Sequence, residues 1–247
     1  MDQRLTNLGV AVLAFATSLA MAQPLQSGKA VIEAYRSAIA SAQSGNSPRG
    51  IETAFSTLAP LREALTRVTE DGNTLLESLS EAEFESLSRS LPGVLIQREE
   101  IVFVEPDTDY FARLAAAKGD DADRAFFSAL KATYPESVWP VYIQQQTDYS
   151  GCTQFGSMAL VEAYRTWSEF RGKYPSRYLA HAKAESDKVL EELTTSTCAC
   201  GNADGIVREL EQFQARFPKS PVRSKIDARL KALRAHRSNI RANCVSG

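Results

Sequence analysis

The chain is poor in the residues that build metal and nucleophile sites: 247 residues hold only two histidines and four cysteines. It has no Gly-x-Ser-x-Gly elbow, no Gly-x-x-x-x-Gly-Lys phosphate loop and no His-Glu-x-x-His pair, which removes the chemistries those patterns carry. It also lacks a large charge of one sign. The formal net charge is -2, so the molecule is not a polycation built to neutralise nucleic acid. No stretch after residue 22 is long and apolar enough to span a bilayer, and nothing in the sequence calls for a cofactor. What is present is ordinary for a folded chain: 44% hydrophobic and 23% charged residues, which excludes a disordered or collagen-like polymer. A chain of this length buries roughly 70% of the surface its unfolded form exposes, enough for one domain or two small ones.

Residues 1–22 read as a secretory signal peptide. Arg4 leads into an apolar run from Leu8 to Ala16, and Ala20-Met21-Ala22 supplies a small-x-small cleavage pattern. The pattern predicts cleavage after Ala22 and a mature chain beginning at Gln23, soluble and exported to the periplasm or beyond. The competing reading, an uncleaved membrane anchor, is disfavoured by an apolar run shorter than the ~20 residues a spanning helix needs.

All four cysteines, Cys152, Cys198, Cys200 and Cys244, lie in the second half. An even number in an exported chain argues for disulfides, with three possible connectivities. The alternative is a redox or soft-metal pair at Cys198-Ala199-Cys200. It needs an electropositive, accessible setting or further ligands, and neither His181 nor His236 is near in sequence.

Residues 23–92 are helical by period. Ile32, Tyr35 and Ile39 share one face, as do Ile51, Phe55, Leu58 and Leu65, with Pro60 expected to break the second pattern. Ser80 to Glu83 is a capping box for a third helix carrying Phe84, Leu87 and Leu91, and Pro92-Gly93 ends it. In residues 93–124 the period changes, and the segment reads as a β-hairpin and linker. Val94 to Ile96 and Ile101 to Val104 read as a β-hairpin closed by Glu105-Pro106-Asp107. A third extended run, Val138 to Ile143, is expected to pair with it as an edge strand, because Pro140 has no N–H to give.

Residues 125–247 carry the clearest pattern. Phe170-x-x-x-Tyr174-Pro175-Ser176 recurs as Phe213-x-x-x-Phe217-Pro218-Lys219-Ser220, with a looser copy at Leu130-x-x-x-Tyr134-Pro135-Glu136-Ser137. The prolines lie 40 and 43 residues apart, a period that signals stacked helical hairpins. The pattern resembles the tetratricopeptide-like repeats of bacterial envelope proteins, in which an aromatic-x-x-x-aromatic-Pro-x-Ser turn joins paired helices. The resemblance covers about residues 125 to 243. It implies a mainly α fold, a helical-hairpin (TPR-like) array with a small β-hairpin inserted, and a scaffold for protein–protein contact. It also implies a cysteine pairing. All four cysteines would fall on one edge of the stack, so bridges from each junction to the next favour Cys152–Cys198 and Cys200–Cys244. Each would close a loop of about 45 residues, worth ~4 kcal/mol in the chain-entropy model.

Two candidate surfaces follow. The first is the polar and aromatic stretch from Trp139 to Thr153, with Trp139, Tyr142, Gln144, Gln146, Asp148 and Tyr149 as candidate ligand-binding residues; amides beside aromatic rings suit a glycan or a peptide. The bland reading is an inter-repeat loop with Trp139 and Tyr142 packed inside. The second is basic. Between Arg216 and Arg241 nine Lys or Arg stand against one acid, Asp227, an excess of +8. Lys219, Arg223, Lys225, Arg229, Lys231 and Arg234 form a candidate docking face for an acidic envelope protein or a polyanionic cell-wall polymer. The stripe could equally face the segment from Glu77 to Glu136, where thirteen acids stand against six bases, or simply be solvated. The carboxylates Glu99, Glu100, Glu105, Asp107 and Asp109 near the hairpin are the only candidates for paired acid–base work, and a solvated turn explains them as well.

Overall fold

The structure, a computed structural model, describes residues 22–45, 47–70, 72–99, 101–135, 138–147 and 149–245. The signal-peptide pattern lies almost wholly outside them. The described chain is mainly helical with two small antiparallel strand pairs. None of its helices is long and apolar enough to cross a membrane.

The first helices form where the apolar period predicts. Helix α1 (Ala22–Ser44) buries Tyr35 and Ile39, and α2 (Gly50–Ser56) with α3 (Leu58–Thr66) buries Ile51, Phe55, Leu58 and Leu65. The chain breaks at Thr57, three residues ahead of Pro60. This places the proline in the first turn of α3, where its missing N–H costs nothing. Ser80 and Glu83 close the expected capping box on α4 (Glu81–Arg89). Strands β1 (Val94–Gln97) and β2 (Phe103–Pro106) form the expected hairpin with the second strand shifted two residues on, so that Glu105 and Pro106 pair with Leu95 and Val94 instead of closing it. It is held on α3 by Arg62, whose Nε donates to Val104 O at 2.8 Å. The turn before it needs Gly93, at φ +81°, because a Cβ there would collide with the Tyr110 ring.

Helices α5 (Thr108–Lys118) and α6 (Asp121–Thr133) start on aspartate caps at Asp107 and Asp120. They deliver Phe111, Phe126 and Phe127 to an aromatic core in which Phe55, from α2, meets all three rings edge-on at 5.3 Å. Phe126 stacks on Tyr178 at 3.9 Å. This first core reaches into α7 (Ala159–Lys173) and α8 (Leu179–Thr195) through Trp167, Phe170 and Ala182, so packing runs across the boundary drawn at residue 125. The N-terminal half of α7 and the C-terminal half of α8 join α9 (Ala203–Arg216) and α10 (Arg223–Arg234) in a second core around Leu160, Val189, Leu210, Phe213 and Ile226.

The three aromatic-proline sites share one backbone geometry. Tyr134, Tyr174 and Phe217 have φ between -130° and -122° and ψ between 64° and 72°. Each N–H donates at 2.8 Å to the carbonyl four residues earlier, Leu130, Phe170 or Phe213. The following proline bars the α region to the residue before it, so the helix stops there. After Tyr174 and Phe217 a second helix packs back on the first, α8 on α7 and α10 on α9. After Tyr134 the next helix, α7, also packs on α6, but a strand pair comes between them. The chain turns at Pro140, whose carbonyl accepts the Ile143 N–H at 2.8 Å, and enters strand β3 (Ile143–Gln145). This corrects the expected third strand of the first hairpin: β3 pairs instead with β4 (Gly151–Thr153), with Gln144 opposite Cys152.

The disulfide pairing is also corrected. The bonds are Cys152–Cys200 and Cys198–Cys244, with Cα atoms 5.1 Å and 5.3 Å apart. The favoured pairing assumed junctions linked in chain order. In the fold, the Cys198-Ala199-Cys200 segment lies between two other chain segments. On one side Thr153 exchanges backbone hydrogen bonds with it; on the other Arg241 does, and Cys244 N–H donates to Ala199 O at 2.8 Å. Cys200 therefore bonds to the β4 side and Cys198 to the C-terminal side.

Candidate functional site

Helix α8 and the β3–β4 pair frame an open groove of about 540 Å³. One wall is built by the segment after α6, with Tyr134, Val138, Trp139, Pro140 and Tyr142. The other is the last two turns of α8 and the following residues, with Lys188, Glu191, Glu192, Ser196 and Cys198. Ile143, Gly151 and Thr153 form the floor, on one face of the strand pair. A Cβ on Gly151 would meet Ile143 Cγ2 at 2.6 Å, so glycine there lets the isoleucine lie across the floor.

Hydrogen bonds fix the groove's polar side chains. Tyr134 donates its hydroxyl to Glu185 Oε2 at 2.8 Å and accepts from Lys188 Nζ at 3.0 Å; Lys188 also holds Glu185 Oε1 at 2.7 Å. Burial first, then the Glu185 charge, pushes the Tyr134 phenol far above its ordinary value, and burial does the same for Tyr142. Both phenols stay protonated at any physiological pH. Glu192 accepts from Thr153 Oγ1 at 2.8 Å. Burial pushes its carboxyl up, helped by the neighbouring Glu191 charge and opposed by the hydrogen bond from Thr153.

Of the sequence-predicted ligand residues, the structure brings Trp139 and Tyr142 to this groove and disperses the others. Tyr142 is only 2% exposed, so it shapes the wall from behind. Gln144 points its exposed side chain elsewhere, and Gln146 is spent on structure, its amide donating to Cys244 O at 2.9 Å. Tyr149 stands exposed at the tip of the β3–β4 loop, and Asp148 lies outside the described residues. The α8 contributions, Lys188, Glu191 and Glu192, were not anticipated. They sit 46 or more residues further along the chain, beyond the reach of local pattern.

The basic residues do not form one face. Ile226, Leu230 and Leu233 turn inward on α10, and the cations divide on either side of that stripe at ~100° per residue. On one flank Arg223 and Arg234 border a shallower depression of about 430 Å³ that also holds Glu211 and Asp227. Arg234 pairs with Glu211 at 2.5 Å. On the other flank the half-buried Arg229 caps the end of α8. Its guanidinium donates to Leu193 O at 3.2 Å and to Ser196 O. Lys219, Lys225 and Lys231 are exposed.

The carboxylates near the first hairpin are not gathered for catalysis. Asp107 caps α5, Glu105 pairs with Arg62 and Asp109 with Lys131, while Glu99 is exposed and Glu100 lies outside the described residues. His181 is half-buried with its ring 4.8 Å from Phe55, not on the surface, and burial lowers its pKa from the ordinary 6.5. All four cysteines are in disulfides, which leaves no thiol for redox or metal work. No family model, curated protein or solved structure matches this chain.

Proposed function

We propose that the chain is an exported helical-hairpin protein that works by binding, a protein–protein interaction scaffold of the bacterial periplasm, with the groove beside α8 as its docking site. The observation that carries this reading is the groove itself: an aromatic and apolar wall faces a charged helix end over a floor clamped by two disulfides. Three further features support it. Two consecutive helix pairs, α7–α8 and α9–α10, are joined through the same aromatic-proline turn, in keeping with a TPR-like array. Disulfides persist in oxidising compartments, and the run from Leu8 to Ala22 has the form of an export signal.

A photo-crosslinking residue placed at Val138, an exposed rim position, tests the reading in cells, with Lys225 as the control. The expected result is a discrete protein adduct from Val138 and none from Lys225. The alternative function is a glycan- or peptidoglycan-binding module, favoured by Trp139 at the groove. It predicts no protein adduct and retention of the purified chain on the polymer, lost on Trp139→Ala.

A further inference from the structure

We infer that the groove beside α8 receives a basic side chain, lysine or arginine, presented by an extended peptide segment of a protein partner. The inference rests on the binding function proposed above and supplies the chemistry of its ligand. It begins from an ionic inventory. Among the described residues, three charged side chains line the groove, Lys188, Glu191 and Glu192. The ammonium of Lys188 is already engaged, by Glu185 and by the Tyr134 hydroxyl. Glu192 is partly answered, by the Thr153 and Ser196 hydroxyls and by the Arg229 charge behind the helix, whereas Glu191 is exposed and makes no ion pair among the described residues. The groove therefore holds a surplus of negative charge, centred on the Glu191 carboxylate at the end of α8. A helix C-terminus is itself the negative end of the backbone dipole, and Arg229 answers part of that from the far side.

The opposite wall suits the rest of such a side chain. Lysine and arginine carry a long apolar stem below the charge, and Trp139, Pro140 and Ile143 present apolar surface for it. An indole face also attracts a cation directly. A neutral sugar would cover the indole but leave the Glu191 carboxylate uncompensated, and a polyanion would be repelled.

Calorimetric titration of the full chain with acetyl-Ala-Leu-Arg-Leu-Ala-amide, and with the same peptide carrying norleucine for arginine, tests the inference. Tryptophan emission locates the event, because the other tryptophan, Trp167, is fully buried in the first core. The arginine peptide is expected to bind saturably and shift the emission, with norleucine about fivefold weaker or worse. Glu191→Gln, an exposed change that leaves folding intact, should erase that preference, and about 0.5 M salt should reduce it. Equal affinity for the two peptides, no response to either, or a preference unchanged in Glu191→Gln would overturn the inference. So would an emission shift with N-acetylglucosamine oligomers and none with the arginine peptide. If the Val138 crosslinker still captures a protein in any of these cases, the ligand chemistry is wrong and the binding function stands; if it captures none, both fall.

Discussion

Arg177 Nη2 lies 2.6 Å from Asp123 Oδ1, and the same carboxylate oxygen accepts the Tyr178 hydroxyl at 2.7 Å. Both Arg177 and Asp123 are buried. The other guanidinium nitrogens reach Glu52 at 2.6 Å and Asp120 at 2.5 Å. One side chain at the α7–α8 turn thus ties α2 and the start of α6 to the α7–α8 pair. Three carboxylates around a single guanidinium make the pair geometry costly to break, because removing the cation leaves buried negative charge unanswered. Arg177→Met should lower unfolding free energy by about 3–5 kcal/mol in urea titration. Arg177→Lys should recover less than half of the loss, since one ammonium cannot match a planar fork with three directions. An unchanged midpoint in Arg177→Met would show that the network contributes nothing.

His181 gives the chain a specific acid response. Its folded pKa lies below the ordinary 6.5, first because of burial; Glu185 and Glu52 oppose the shift, while Arg62 and Lys188 reinforce it. As pH falls, the unfolded state takes up the proton first, so stability present above 6.5 is lost on acidification through that value and below it. Glu105 and Glu192, whose carboxyls burial raises, work in the opposite sense. The informative quantity is therefore the difference between wild type and His181→Gln. The urea midpoint of wild type should fall more steeply than that of the variant between about pH 7.5 and pH 5.5. Parallel slopes would mean that His181 titrates as it does in water.

Arg229 and Lys225 lie on the same helix and predict different outcomes. Arg229 caps the Leu193 and Ser196 carbonyls, so Arg229→Met should cost about 1–3 kcal/mol by leaving them unpaired. Lys225 is exposed, and Lys225→Met should stay within about 0.5 kcal/mol of wild type. Thermal unfolding of the two variants side by side checks the contrast. Equal effects would return Arg229 to the surface.

Phe213 and Phe217 test the second core. Phe213 is fully buried, whereas Phe217 is half-buried with its ring edge-on to Tyr164 at 4.8 Å. Phe213→Ala should cost about 3–5 kcal/mol and Phe217→Ala clearly less, measured by denaturant titration.

Local signals in the sequence were enough for α1 to α4, the first hairpin and the aromatic-proline turns, but not for α5, which lies in the segment 93–124 read as hairpin and linker. Each rests on a short-range rule: an apolar period for Tyr35 and Ile39, a capping box at Ser80 and Glu83, a pre-proline restriction at Tyr134, Tyr174 and Phe217. What stayed hidden depends on contacts between distant segments. Glu209 looks like a misplaced acid on the apolar stripe of Ile206, Leu210 and Phe213. It is fully buried and accepts the N–H groups of Gly156, Met158 and Leu160, so α9 caps the start of α7. Glu52 does the same for α8 by accepting from Tyr178 N–H at 2.6 Å. An acid in the middle of a buried stripe was the available clue. The cysteine pairing and the α8 side of the groove had no such clue, because both depend on which segment lies beside Ala199 once the helices have packed.

The groove floor and the export of the chain meet in one observable, the sulfur connectivity of the native protein. Non-reducing proteolysis with mass mapping should return Cys152 joined to Cys200 and Cys198 joined to Cys244, with no free thiol. Recovery of Cys152–Cys198 with Cys200–Cys244, or of four reduced cysteines, would contradict the account.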